Sequence, residues 1–203
     1  MRKAGDVFQD YIREGRLSAN RSQPIGAGGY GVVYASDVPG NVMKESHQPD
    51  GLFAGQPTLT DEANLQSIAA DIGIAPRIAG IETFRGGIGN RIEMADARGN
   101  YESRGNTQWP QGQDAIRVNQ QLGHLALKGV DLDDRHQGNI MYNKMTGRPT
   151  QLDYGKARRV EGEDQVAALT NATEAGLTAA GLGDVAEAMD VAKQGFSRLQ
   201  KLK

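Results

Sequence analysis

The chain has no cysteine among its 203 residues. That excludes a disulfide framework, a thiolate metal site and a cysteine nucleophile. It also lacks any apolar run approaching 18 residues, which excludes a hydropathy-type transmembrane helix. The first twenty residues carry Asp6, Asp10 and Glu14 and no apolar h-region, which argues against a secretory signal peptide. Charge of one sign is missing too: 23 basic and 25 acidic side chains leave a formal net charge of −2. Neither nucleic acid nor an anionic membrane is therefore expected as the main partner. Internal repeats and low-complexity blocks are absent. What is present in excess is glycine, 27 residues or about 13 %, against an average near 7 %. The expectation is one cytoplasmic domain over 1–203.

Local patterns divide that domain. Val7, Phe8, Tyr11 and Ile12 fall on one face of a short helix. From Ile25 the texture becomes β-rich: Val32-Val33-Tyr34 and Val42-Met43 read as strands around the Val38-Pro39-Gly40 turn. Leu65, Ile68, Ala69 and Ile72 fit the i, i+3, i+4, i+7 spacing of a helix, with Asp61 as its expected cap and Gly73 as its end. Arg77–Glu82 and Arg91–Met94 are two further strands, joined by a turn containing Gly86, Gly87 and Gly89. The boundaries expected are a β-rich lobe with its N-terminal helix over 1–96, an irregular hinge or linker over 97–112, and a mostly helical lobe over 113–203. In that second lobe Asp114–Lys128 reads as a helix, 131–139 as a loop, and Ile140-Met141-Tyr142 as a strand returning through Thr146-Gly147 toward Leu152. The tail is helical from Glu163, and Leu182, Val185, Met189, Ala192, Phe196 and Leu199 form one apolar stripe.

Gly26-Ala27-Gly28-Gly29-Tyr30-Gly31 matches G-x-G-x-x-G, a pattern that two folds use. A dinucleotide-binding fold requires a helix next. Here two β-branched residues and a tyrosine follow, which suits a strand, and Val33 completes G-x-G-x-x-G-x-V. A ligand-free glycine hairpin is the alternative for this motif taken alone. Thirteen residues after Gly31 comes Lys44 on the next strand, and eighteen further on comes Glu62, on the same inward stripe as Leu65 and Ala69. An inward carboxylate is costly unless paired, and Lys44 is the obvious partner. Favouring the helix N-terminus is the plainer role for Glu62.

The stretch Asp134-Arg135-His136-Gln137-Gly138-Asn139 sets an aspartate five positions before an asparagine, and Asp153-Tyr154-Gly155 follows fourteen residues later. Taken together and in this order, these elements resemble those of the protein-kinase-like superfamily over roughly Ile25 to Ala157. The resemblance implies an α+β, bilobal fold with a small β-rich N-lobe and a truncated, mostly helical C-lobe. It implies ATP and Mg²⁺ as cofactors. Gly26, Gly28, Gly31 and Val33 would close over the nucleotide. Lys44 would hold its α/β-phosphates, positioned by Glu62, while Met94 to Asp96 would bind adenine through backbone groups. Asp134 would accept the proton of an attacking hydroxyl, and Asn139 and Asp153 would hold Mg²⁺.

Departures from the family pattern are specific. Leu132-Asp133-Asp134 stands where the family usually has H-R-D, so the arginine that pairs with an activation-loop phosphate is replaced by an acid. Lys156 to Leu169 contains no Ser, Thr or Tyr, A-P-E is absent, and only 48 residues follow Gly155. The chain therefore resembles minimal bacterial-effector or phage-encoded kinases that lack the activation segment and peptide-docking region. The loop is also similar to the D-x-H-P-x-N loops of atypical and small-molecule kinases. Three functions stay open: a minimal protein Ser/Thr kinase acting on a protein substrate or with a docking partner, an idle kinase-fold binding or scaffold module such as a virion component, and a small-molecule phosphotransferase.

Overall fold

A computed structural model describes residues 19–27, 31–46, 58–83, 90–104, 109–133 and 137–183. The expected N-terminal helix, the Gly86–Gly89 turn, Gly28, the Asp134–His136 segment and the tail stripe beyond Gly183 lie outside these residues.

The fold is α+β, with a β-rich first half and a second half dominated by two helices. Strands β1 (Ala19–Ala27), β2 (Gly31–Ser36), β3 (Asn41–Ser46), β4 (Ile78–Glu82) and β5 (Arg91–Ala95) form one antiparallel sheet in the order β1-β2-β3-β5-β4. The β2–β3 turn closes with the Asn41 amide donating to the Val38 carbonyl at 3.1 Å.

The first helix, α1 (Leu59–Asp71), begins with a capping box. Thr58, not Asp61, is its N-cap. The Asp61 amide donates to Thr58 Oγ1 at 3.1 Å, and Asp61 reciprocates by accepting from the Thr58 amide at 3.0 Å. The capping hydroxyl thus lies one turn before the acid that the sequence suggested. Gly73, at φ +73°, ends the helix as expected.

The α1 helix serves two cores. Leu59 and Ala63 pack with Val42, Ile78, Ile81, Ile92 and Met94 of the sheet. One turn on, Leu65 and Ala69 join Val118, Leu122, Leu125, Ile140 and Tyr154 of the second half. Ile74, just past α1, ties the halves together by accepting from the Gln151 amide (2.8 Å) and from Thr150 Oγ1 (2.9 Å).

The stretch expected to be a linker is more ordered than its composition suggests. Ala97–Gly99 form a 3-10 turn, and β6 (Tyr101–Glu102) pairs with β8 (Ile140–Asn143), which pairs in turn with β9 (Pro149–Gln151). The first long helix of the second half is α2 (Gly112–Leu127). After it, the expected loop begins with a strand, β7 (Val130–Leu132), paired with β10 (Ala157–Arg159). Only Val160 and Glu161 separate β10 from α3 (Gly162–Ala179), which packs along α2. None of these described helices is long and apolar enough to cross a membrane.

One glycine of the sequence motif has a purely structural reason to be glycine. A Cβ on Gly31 would lie 2.6 Å from the Glu45 carbonyl oxygen of the neighbouring strand, next to Lys44. On Gly26 a Cβ would meet Val33 at an ordinary 3.9 Å. Gly31→Ala is accordingly expected to cost about 2–3 kcal/mol, as overpacking against backbone does. Gly26→Ala should stay within about 1 kcal/mol of wild type, near the range of surface changes. Urea unfolding of the two variants measures the contrast.

Candidate active site

The halves meet around a cavity of about 630 Å³. That volume suits a nucleotide-sized ligand. Gly26, Val33 and Val42 line it from the sheet, Met94 to Asp96 border one end, Met141 and Leu152 come from the second half, and Lys44, Asn139 and Asp153 stand at the polar end.

Lys44 is 8 % exposed on β3, and its Nζ lies 2.5 Å from Glu62 Oε1 and 3.0 Å from Asp153 Oδ1. Lys44 and Asp153 are 109 positions apart, so only the folded chain brings them together. Glu62 reaches the lysine from the first turn of α1 and is 3 % exposed. Each of the three shifts the protonation of the other two. Burial alone would lower the Lys44 pKa, but the two carboxylates outweigh it and hold the ammonium above its ordinary value. Glu62, fully enclosed, is pushed up by burial, with Lys44 pulling the other way. Burial also works against the charged form of Asp153. There Lys44 and the Gly155 amide prevail and hold its pKa below the usual carboxylate value.

Asn139 and Asp153 are neighbours because a hairpin folds between them. Asn139 ends a 3-10 turn (Gln137–Asn139), β8 and β9 run out and back, and the Leu152 amide donates to the Asn139 carbonyl at 2.9 Å. Asp153 then accepts from the Gly155 amide at 3.0 Å, which shapes the turn. Tyr154 between them is fully buried under α1 among Leu65 and Ala69, and its hydroxyl has no hydrogen-bond partner. Burial raises its pKa well beyond the ordinary phenol. Gln137, beside the Asp134–His136 segment, is anchored through Nε2 to the Tyr142 hydroxyl at 3.2 Å, and Arg104 lies over the Tyr142 ring at 4.4 Å.

At the opposite end, the segment expected to meet adenine spends two of its amides elsewhere. The Ala95 amide donates to the Arg77 carbonyl (2.9 Å) and the Asp96 amide to the Gly40 carbonyl (2.8 Å). The Asp96 side chain caps the Ala97–Gly99 turn and pairs with Arg98 at 2.6 Å, and the Arg98 hydrogen bonds hold its carboxyl below the usual range. Met94 presents its sulfur to Gln66 Nε2 at 3.3 Å.

The cavity thus gathers Gly26, Gly31, Val33, Lys44, Met94, Asp96, Asn139 and Asp153, with Glu62 behind Lys44. Gly28 and Asp134 lie outside the described residues. Pro76, Arg98, Met141 and Lys156 also line the cavity and were not singled out from sequence. Only Lys156 had a local signal, as a cation directly after the Asp153-Tyr154-Gly155 turn.

No family model matches the chain, and no curated protein matches it. Among solved structures it is similar to the kinase PK-1 of the Cydia pomonella granulovirus, with 14 % identity and a TM-score of 0.48. The match covers 68 % of this chain and 54 % of that kinase, so the chain spans about half of the viral kinase's length.

Proposed function

We propose that the chain is a minimal protein kinase that transfers the γ-phosphate of ATP to a Ser or Thr hydroxyl of a protein substrate in the cytoplasm. The observation that carries this is the polar end of the cavity, where a buried lysine joins Glu62 to Asp153 with Asn139 on the same wall. Lys44 holds the α/β-phosphates, and Glu62 keeps its ammonium aimed into the cavity. The valines of β2 and β3 and Met94 sandwich the base. With the Ala95 and Asp96 amides engaged by the Arg77 and Gly40 carbonyls, the other polar groups of the 94–98 segment meet its edge. Asp134 orients the acceptor hydroxyl and takes its proton.

Asn139 and Asp153 fit Mg²⁺: both offer hard oxygen donors, and Mg²⁺ is commonly held by one or two carboxylates with water and phosphate oxygens completing its shell. When bound, Mg²⁺ neutralises charge on the β- and γ-phosphates.

Activation-loop phosphorylation plays no part in this reading. Only two residues join β10 to α3, and that short connection supports this reading. Arg158 on β10 is met by carboxylates, Asp131 at 2.9 Å and Asp164 at 3.7 Å, rather than awaiting a phosphate.

The test combines binding and turnover. Mg-ATP at a hundredfold excess over its Kd should stabilise the fold by about 2.7 kcal/mol, visible as a rise in melting temperature. Wild type should transfer γ-phosphate where Asp134→Asn does not. ATP binding with both proteins equally silent supports instead a binding or scaffold module. ADP release driven by a metabolite and not by protein supports a small-molecule phosphotransferase.

A further inference from the structure

A second lysine, Lys156, lines the cavity and is exposed where Lys44 is buried. Lys44 is buried and fully engaged by two carboxylates, so Lys44, Glu62 and Asp153 together contribute a charge of −1. A nucleoside triphosphate arriving there brings roughly four further negative charges, more than Lys44 and one divalent cation offset. Lys156 shares that lining with Gly138, Asn139 and Asp153 and follows Asp153 by three residues. Its backbone is nonetheless fixed. The Ala157 amide donates to the Tyr154 carbonyl at 2.9 Å, the Gly155 amide donates to Asp153, and both Tyr154 and Ala157 are buried. A long cationic side chain on a pinned turn, three residues past Asp153, reaches over the cavity with little backbone freedom left to lose on binding.

We infer that Lys156 contacts the terminal phosphate of the bound nucleotide and so makes the cavity prefer a nucleoside triphosphate to a diphosphate. The inference rests on the nucleotide-binding reading above and assigns one residue to one phosphate. Lys44 serves the phosphates that ATP and ADP share; Lys156 serves the one that only ATP has.

Isothermal titration of wild type, Lys156→Met and Lys156→Arg with Mg-ADP and with a non-hydrolysable Mg-triphosphate analogue tests it. Lys156→Met should weaken the triphosphate analogue about tenfold, the scale of one charge-assisted hydrogen bond, and leave ADP within about twofold of wild type. Lys156→Arg should keep most of the triphosphate affinity, because the charge is retained. Equal weakening of both nucleotides, or of neither, overturns the inference while leaving the nucleotide reading in place. Wild type that binds neither nucleotide overturns both.

Discussion

Lys44→Met is expected to lower the unfolding free energy by about 3–5 kcal/mol, the usual cost of stripping one partner from a buried ion pair. The reason is what it leaves behind: Glu62 is 3 % exposed and loses its ammonium partner, with the Tyr154 amide left as a hydrogen-bond donor. The converse change is milder. Glu62→Gln leaves Lys44 its second carboxylate, Asp153 at 3.0 Å, so about 1–2 kcal/mol is expected. The double variant should recover part of the Lys44→Met loss, since a neutral amide tolerates the cavity wall better than an orphaned carboxylate. The pH dependence has a definite sign at each end. Lys44 titrates above its ordinary value of 10.5, so its contribution is complete below that pH and is lost as pH rises through the higher folded value. Lys44→Met lacks that alkaline loss. With the lysine gone, the Tyr154 amide alone works against the burial and the Asp153 charge that raise Glu62, whose protonation then relieves the variant. Its deficit should therefore be smaller at pH 5 than at pH 8. Urea midpoints of the three variants at the two pH values decide the matter. A Glu62→Gln cost equal to that of Lys44→Met would show that Asp153 does not support Lys44.

Why the pair could be anticipated is a matter of period. Glu62 precedes Leu65 by three and Ala69 by seven, so helical geometry alone sets it on the inward stripe, and an inward acid demands a cation. Lys44 directly follows Val42-Met43 on the strand and falls thirteen residues after Gly31, and that spacing is what singles it out. The cap was misplaced because Thr58 and Asp61 share a reciprocal box; the acid is the more conspicuous residue, while the hydroxyl three positions earlier does the capping. Two strands had no local signal. β6 is two residues long and exists through Tyr101 opposite Asn143, and β10, Ala-Arg-Arg, exists through β7. Pairing across such sequence distances leaves no periodic trace in three residues or fewer. Gly31 shows a subtler gap. Its motif pointed to phosphates, yet the Glu45 carbonyl 2.6 Å from a would-be Cβ already requires glycine there. The 94–96 segment shows the converse: its position beside the cavity was legible, but which amides the sheet consumes depends on Arg77 and Gly40, and no pattern within the segment reports them.

Asp153→Asn should separate function from stability where Lys44→Met damages both. Asparagine keeps the shape of the side chain and can still accept from the Gly155 amide, and Lys44 retains Glu62 at 2.5 Å. The Asp153 side chain is also 36 % exposed, so solvent screens much of what its charge gives the fold. A stability change of about 1 kcal/mol or less is expected, of either sign. Phosphoryl transfer needs the charge itself, because a neutral amide holds a divalent cation far more weakly than a carboxylate does. Turnover should fall by about 10²–10³-fold, the range seen when one preorganised electrostatic contact is removed from a reacting group. A second readout does not depend on turnover. In wild type Mg²⁺ should tighten ATP binding, and in Asp153→Asn that gain should largely vanish while metal-free ATP binds at least as well, one negative charge having been removed from beside the phosphates. If the Mg²⁺ gain survives the substitution, Asp153 is a structural partner of Lys44 and the cation is held elsewhere. If it vanishes in a chain that never turns over, the cavity is a metal-dependent nucleotide site without transfer chemistry, and the scaffold reading gains what the kinase reading loses.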